Sequence, residues 1–399
     1  MTTFAPFVDQ IAGRGAAAWE IHTRALARAE AGADILFLSV GDPEFGTPEV
    51  VTDAAVEGLR AGRTHYTPIL GETAFRRAVA DWHAQLTGQT VKPDNVAAVA
   101  GAQNGLFTAM LCVVPAGAEV IVPEPMYATY EAVVGAAGAT VVPVPLRPER
   151  GFHPDPADVE AAVSPATRAI LLNTPHNPAG AVMDREELAA IADTAKRHDL
   201  WVISDEVYAS LTFERAHVSP ASLPDMGERT VVVSSLSKSH AMTGWRVGWL
   251  VGPESLIEPH VANLLLCMLY GMPGYNQDAG LAAITRASGD LDAMRAEYRA
   301  RRDTVHGALA DVPGLRCHRP EGGMFVMVDI RDTGRSAFDF AAGLLDREGV
   351  SVLPGDGFGP SAAGHVRLSL TANRERLNEA CTRIARHAAR LLQEVEPSA

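Results

Sequence analysis

Along the middle of the chain, apolar residues fall into short runs of four to six, separated by stretches where they recur every three or four places. The short runs predict strands at 96–100, 119–122, 168–173, 201–204, 230–234 and 247–251. The stretches between them predict amphipathic helices at 73–86, 103–114 and 184–198. Strands that are apolar on both faces and alternate with helices need cover on both sides, which implies a mostly parallel sheet in an α/β fold. From about Leu281 the pattern changes. A long Arg-rich helix is expected at 293–309, strands of a separate smaller sheet at 324–330 and 366–370, and a closing helix at 373–394. A helix at about 16–31 is expected to pack with this later part. A chain of 399 residues is long for one small core and suits two domains that share an interface.

Charge and cysteine usage then narrow the partners. The formal net charge of −14 argues against nucleic acid or an anionic membrane, since both reward a basic surface. The four cysteines lie far apart with no C-x-x-C pair, so disulfides and a thiolate zinc site are not expected. Residues 1–15 carry Asp9 and lack a basic start followed by an apolar core, so no signal peptide is expected and the cytoplasm is the expected location. The longest apolar stretch, about 261–275, is interrupted by Asn263, Gly271 and Pro273 and falls short of a membrane span.

Lysine is scarce, occurring only at positions 92, 196 and 238. Lys92 precedes a proline and Lys196 sits on a polar helix face, so both read as solvated charges. Lys238 instead follows an apolar strand within Ser234-Ser235-Leu236-Ser237-Lys238. Open α/β sheets bind ligands at the carboxyl ends of their strands, and an amine there can form an imine with an aldehyde. The same segment offers an anion site in the Ser235 hydroxyl and in Arg246, eight residues after the lysine.

Three other strand ends carry chemistry. The run Val99-Ala100-Gly101-Ala102-Gln103 passes from strand to helix through small residues, where backbone N–H groups suit a phosphate. It is neither G-x-G-x-x-G nor a Walker motif, which counts against nicotinamide and ATP sites. Taken alone, a plain tight turn explains it equally well. Trp201-Val202-Ile203-Ser204-Asp205 ends a strand on a carboxylate, with Tyr208 three residues on. Such a carboxylate can keep a pyridine nitrogen protonated, or merely cap a helix. Asn173-Thr174-Pro175-His176-Asn177-Pro178 is a rigid turn that can present Asn177 to a ring substituent. None of the 13 histidines forms H-x-x-x-H or H-E-x-x-H, so His176 reads as a loop residue and no metal is expected.

In this order the motifs resemble the fold-type I pyridoxal-phosphate enzymes, and within them the class I aminotransferases. The resemblance is carried by Ser235-Leu236-Ser237-Lys238 with Gly244-Trp245-Arg246-Val247-Gly248, and by Asn177-Pro178 with Asp205 and Tyr208, and it runs over nearly the whole chain. It implies a large domain at 48–285 around a mostly parallel seven-stranded sheet, and a smaller α+β domain formed by 1–47 and 286–399. It implies Lys238 as the Schiff-base lysine and proton shuttle, Asp205 on the pyridinium nitrogen, and Tyr208 and Asn177 at the ring's 3′ oxygen. Tyr127 would stack on the ring. The backbone at Gly101, Ala102 and Gln103, with Ser235 and Arg246, would hold the phosphate. Tyr66 would reach the phosphate of a second subunit, which implies a homodimer with shared sites. Arg367 would bind the substrate α-carboxylate and Gly41 would close over it.

A narrower likeness, to bacterial arginine:pyruvate transaminases, is carried by Trp19-Glu20-Ile21-His22, Gly322-Gly323-Met324-Phe325, Leu266-Cys267-Met268-Leu269-Tyr270 and Phe358-Gly359-Pro360-Ser361. It implies arginine or a similar basic amino acid as donor and pyruvate as acceptor. Between Arg246 and Arg286 there is no arginine or lysine, where dicarboxylate-specific relatives place an arginine for the distal carboxylate. A guanidinium wants carboxylates, and Glu20, Asp42 and Glu44 fall in segments that border the pocket in relatives. Glu20 or a neighbour is therefore the candidate for the donor's distal cation, against the simpler reading of all three as capping or surface charges. Another donor range, or a lyase or decarboxylase on the same scaffold, stays open.

Overall fold

A computed structural model describes Ile11 and residues 19–395. Its larger sheet has seven strands, in the order Val96–Val99, Gly248–Val251, Thr230–Ser235, Trp201–Asp205, Thr167–Asn173, Glu119–Glu124 and Thr140–Pro145. Every pairing is parallel except the two made by Gly248–Val251, which runs against both neighbours. The period-2 alternation of side chains explains the apolar runs. Val231 and Val233 join one core with Ala169, Leu171 and Ile203, while Val232, Ile170, Leu172 and Val202 serve the clusters of the opposite face. With both faces buried, the polar ends of these strands are free to build a site.

The six strands expected in this sheet are present within a residue or two, and so are the three expected helices, at Thr73–Thr87, Ala102–Val113 and Arg185–Arg197. The pattern missed Thr140–Pro145, an edge strand with two prolines and half its side chains exposed. A smaller antiparallel sheet orders Leu353–Pro354, His365–Ser369, Phe325–Asp329 and Arg316–Cys317. Helices Glu20–Glu30, Ser288–Leu309, Ala337–Glu348 and Arg374–Val395 surround it. One core binds these elements together, drawing Ile21 and Ala25 against Leu344, Leu368 and Ile384. The first of these helices begins at Glu20, and the part expected at 16–18 lies outside the described residues. The Arg-rich helix starts at Ser288, earlier than its apolar spacing suggests. No described helix is long and apolar enough to cross a membrane.

Candidate active site

The carboxyl edge of the large sheet gathers the predicted residues. Asn173 and Asp205 end adjacent parallel strands and face each other in register. One strand further, Ser235 ends its strand and caps the single turn Leu236–Ser239, its Oγ accepting from Ser237 N at 3.4 Å. That turn presents Lys238, whose Nζ donates to the Gly41 carbonyl at 2.5 Å. Burial, with help from Arg367 and Arg246, lowers the Lys238 ammonium to about 8. Lys92 is exposed and Lys196 pairs with Asp193 at 2.9 Å, as expected of solvated charges.

Asp205 is buried, and its Oδ2 accepts from the Tyr130 hydroxyl at 2.7 Å. Desolvation raises this carboxyl to about 6 despite that hydrogen bond. A carboxylate kept so dry is short of a positive partner. Tyr208 is buried beside Phe325 at 6.1 Å between ring centroids, and burial pushes its phenol well above the usual range. Behind Asp205, Glu206 meets His217 at 2.9 Å and Ser219 at 2.6 Å, all out of solvent.

Gly101 precedes the helix Ala102–Val113 with φ +80°, and a Cβ there would strike the Arg246 guanidinium. Glycine is therefore required twice over, by its backbone and by the close approach. Arg246 donates to the carbonyls of Thr243 at 2.7 Å and Ala100 at 3.2 Å, which ties it to the start of that helix. Gln103 is joined to Thr129 at 2.9 Å. The helix start, Ser235 and Arg246 line one cavity of about 160 Å³ with Lys238, Asp205, Tyr127 and Tyr208.

A second chamber of about 130 Å³ shares Lys238, Tyr127, Asn177 and Tyr208 with the first and is walled by Gly41 and Arg367. Arg367 is buried between the rings of Phe325 and Phe358, at 4.0 and 4.7 Å from their centroids. It donates to Asn177 Oδ1 at 2.9 Å and to the Ser39 carbonyl at 2.8 Å, while its Nε is buried without a partner. Burial lowers this guanidinium to about 10.

The model of the family "Aminotransferase class I and II" matches residues 33–384. The chain belongs to that family. It is 57% identical to an arginine–pyruvate transaminase of Pseudomonas aeruginosa, over 98% of this chain and 99% of that protein. An aspartate aminotransferase of Pyrococcus horikoshii is 35% identical over 88% of this chain and 90% of its own length. Among solved structures, the Thermus thermophilus aspartate aminotransferase with maleate superposes with a TM-score of 0.91 at 35% identity, covering 97% of this chain and all of the other.

Aminotransferases of this family use pyridoxal phosphate, and the residues present fit it. The dry Asp205 suits a protonated pyridine nitrogen, the cradle at Gly101 tolerates no added Cβ, and its donors suit a phosphate dianion. The sequence did not reveal Tyr130, which holds Asp205, or Phe325 and Phe358 as the slot for Arg367. The only available signal was indirect, since both phenylalanines lie within the family-specific stretches. Tyr66 stands apart from both chambers at 86% exposure, packed on Tyr270 at 4.8 Å. Glu20, the candidate for the donor's distal cation, is exposed at a helix start, where an acidic side chain suits the helix dipole, and its neighbour Trp19 is the residue on the chamber wall. Asp42 is engaged by Thr243 at 2.7 Å and Glu44 by Arg301 at 2.5 Å. His176 is buried and neutral, held well below its usual range by desolvation to about 4. Among the described residues there is no cluster fit for a metal.

Proposed function

We propose that this aminotransferase moves the α-amino group of L-arginine, or a similarly basic amino acid, to pyruvate. The observation that carries this reading is the 57% identity to the Pseudomonas aeruginosa arginine–pyruvate transaminase over almost the full length of both chains. Pyridoxal phosphate, when bound, supplies an aldehyde for the amino group and a ring that takes up the electrons of the broken Cα–H bond. The protein does the rest. Lys238 Nζ would anchor the aldehyde and, once displaced by the donor, is the base placed to accept the Cα proton and hand it back. Asp205, its carboxylate fixed by Tyr130, would keep a proton on the ring nitrogen. Tyr208 and Asn177 would bond the 3′ oxygen, Tyr127 would stack on the ring, and Gly101, Ala102, Gln103, Ser235 and Arg246 would hold the phosphate. Arg367 takes the α-carboxylate of donor and acceptor alike beneath Gly41.

The division into a large domain at 48–285 and a smaller one from 1–47 and 286–399 belongs to the same proposal. So does a homodimer in the cytoplasm. Exposed Tyr66, Tyr270, Leu266 and Met268 form the surface expected to meet a second copy, with Tyr66 reaching its phosphate. The four thiols are free, which suits a reducing compartment. Purified enzyme given pyridoxal phosphate and arginine should form alanine only when pyruvate is added. Continuing turnover without an acceptor, beyond one product per active site, would replace this reading with a lyase or decarboxylase. Sedimentation of the same sample tests the dimer.

The depressed Lys238 ammonium gives a pH prediction. Imine formation requires the neutral amine, so uptake of pyridoxal phosphate by cofactor-free enzyme should speed up about tenfold per pH unit. It should level off above about 8. Stopped-flow absorbance measures it, and a rate still climbing beyond pH 10 would show an unperturbed lysine.

A further inference from the structure

A donor with a distal cation meets an unexpected wall in this site. Five aromatic side chains line the substrate chamber, and among the described residues no carboxylate does. The usual partner of a guanidinium is therefore missing from the lining. The chamber nevertheless stabilises one guanidinium already, since Arg367 lies over the faces of Phe325 and Phe358. The aromatic in the lining best suited to a second cation is Trp19, because indole has the most electron-rich face of the aromatic side chains.

Trp19 lies just before the helix Glu20–Glu30 and is 36% exposed, the position of a residue that meets both the chamber and solvent. A cation seated there keeps part of its hydration, so little desolvation opposes the contact. The indole is held in place. It makes a perpendicular contact with His22 at 5.6 Å, and His22 Nδ1 is hydrogen-bonded to Ser39 Oγ at 2.9 Å. Ser39 also supplies the carbonyl that accepts from Arg367, so one backbone segment ties the indole's support to the carboxylate fork. Burial lowers the pKa of His22, which keeps it neutral and places no competing positive charge beside the indole.

We propose that Trp19 is the residue that reads the donor's distal cation, through the face of its indole, while Arg367 takes the α-carboxylate. This rests on the basic donor proposed above. It assigns side-chain selection to an aromatic surface where carboxylates at Glu20, Asp42 or Glu44 had been expected.

The test compares L-arginine with L-citrulline, a neutral ureido analogue of nearly the same shape, as donors to pyruvate. In the holoenzyme, kcat/KM should favour arginine. In Trp19→Leu that preference should shrink by roughly 5- to 30-fold, the loss falling more on arginine than on citrulline. Trp19→Phe should fall between the two. Global replacement by fluorinated tryptophans should raise KM for arginine progressively with fluorine number, because fluorine withdraws charge from the ring face without changing its packing. An unaltered arginine-to-citrulline ratio in Trp19→Leu, or an equal loss for both donors, would overturn the proposal and leave Trp19 a shape-giving wall. A wild-type enzyme that accepts both donors equally would also overturn it, while leaving arginine:pyruvate transamination intact. A wild-type enzyme inactive on arginine would instead remove the functional reading on which the proposal rests.

Discussion

Replacing Lys238 by alanine is expected to lower kcat for arginine–pyruvate exchange by at least about 10⁴-fold, the upper range of what a positioned general base contributes. The expected loss lies at this upper end because one amine both anchors the cofactor and moves the proton. The geometry gives no substitute. Of the other two lysines, Lys196 is paired with Asp193 and Lys92 is exposed, and neither lines the chambers. Among the described residues, the only other basic side chains on those walls are Arg246 and Arg367, and a guanidinium is a poor proton acceptor. Pyridoxal phosphate should still co-purify in part, since the cradle at Gly101, Ser235 and Arg246 is untouched. The absorption band of the lysine-bound cofactor should vanish. Lys238→Arg keeps a positive charge at the same place and should be as inactive, which separates loss of a base from loss of charge. Activity within tenfold of the wild type in either variant would contradict the role given to Lys238.

The sequence made Lys238 readable because a buried strand leaves a sharp trace. An apolar run ending in small polar residues marks the point where chain leaves core, and Asn173, Asp205 and Ser235 all stand at such points. The edge strand Thr140–Pro145 left no such trace, because half its residues face outward and its prolines are tolerated only at an edge. The reversed direction of Gly248–Val251 was equally invisible, since a strand buried on both faces has the same apolar run in either direction. Contacts between distant segments were harder still. Tyr130 bonds Asp205 across 75 positions, and Arg367 reaches Asn177 across 190, so spacing carries no sign of either. Glu20 and Trp19 show the finest limit. Neighbouring side chains on a helix point about 100° apart. Charge alone favoured Glu20, whereas the fold places Trp19 on the chamber wall.

Arg367→Lys should reduce kcat/KM by roughly 10²- to 10³-fold for arginine and for pyruvate, equivalent to about 3–4 kcal/mol in each half-reaction. The loss follows from shape, since lysine keeps the positive charge. An ammonium cannot offer two parallel N–H groups to a carboxylate, nor lie flat between Phe325 and Phe358 as the guanidinium does. In this site Arg367 is costly to keep buried, which is why its pKa is drawn down to about 10, and its Nε is left without a partner. A substrate carboxylate would supply both the missing acceptor and the missing counter-charge, so binding is strongest where desolvation is already complete. Both substrates carry that carboxylate on the same carbon, and both half-reactions should therefore fall together. Cofactor content and the absorption of the lysine-bound form should stay near wild type, because Arg367 lines the substrate chamber and is absent from the lining of the phosphate cavity. Single-turnover rates measured separately with arginine and with pyruvate make the comparison. If only one half-reaction slowed, the two substrates would not share the fork, and the α-carboxylate of the other would have to be held elsewhere in the chamber.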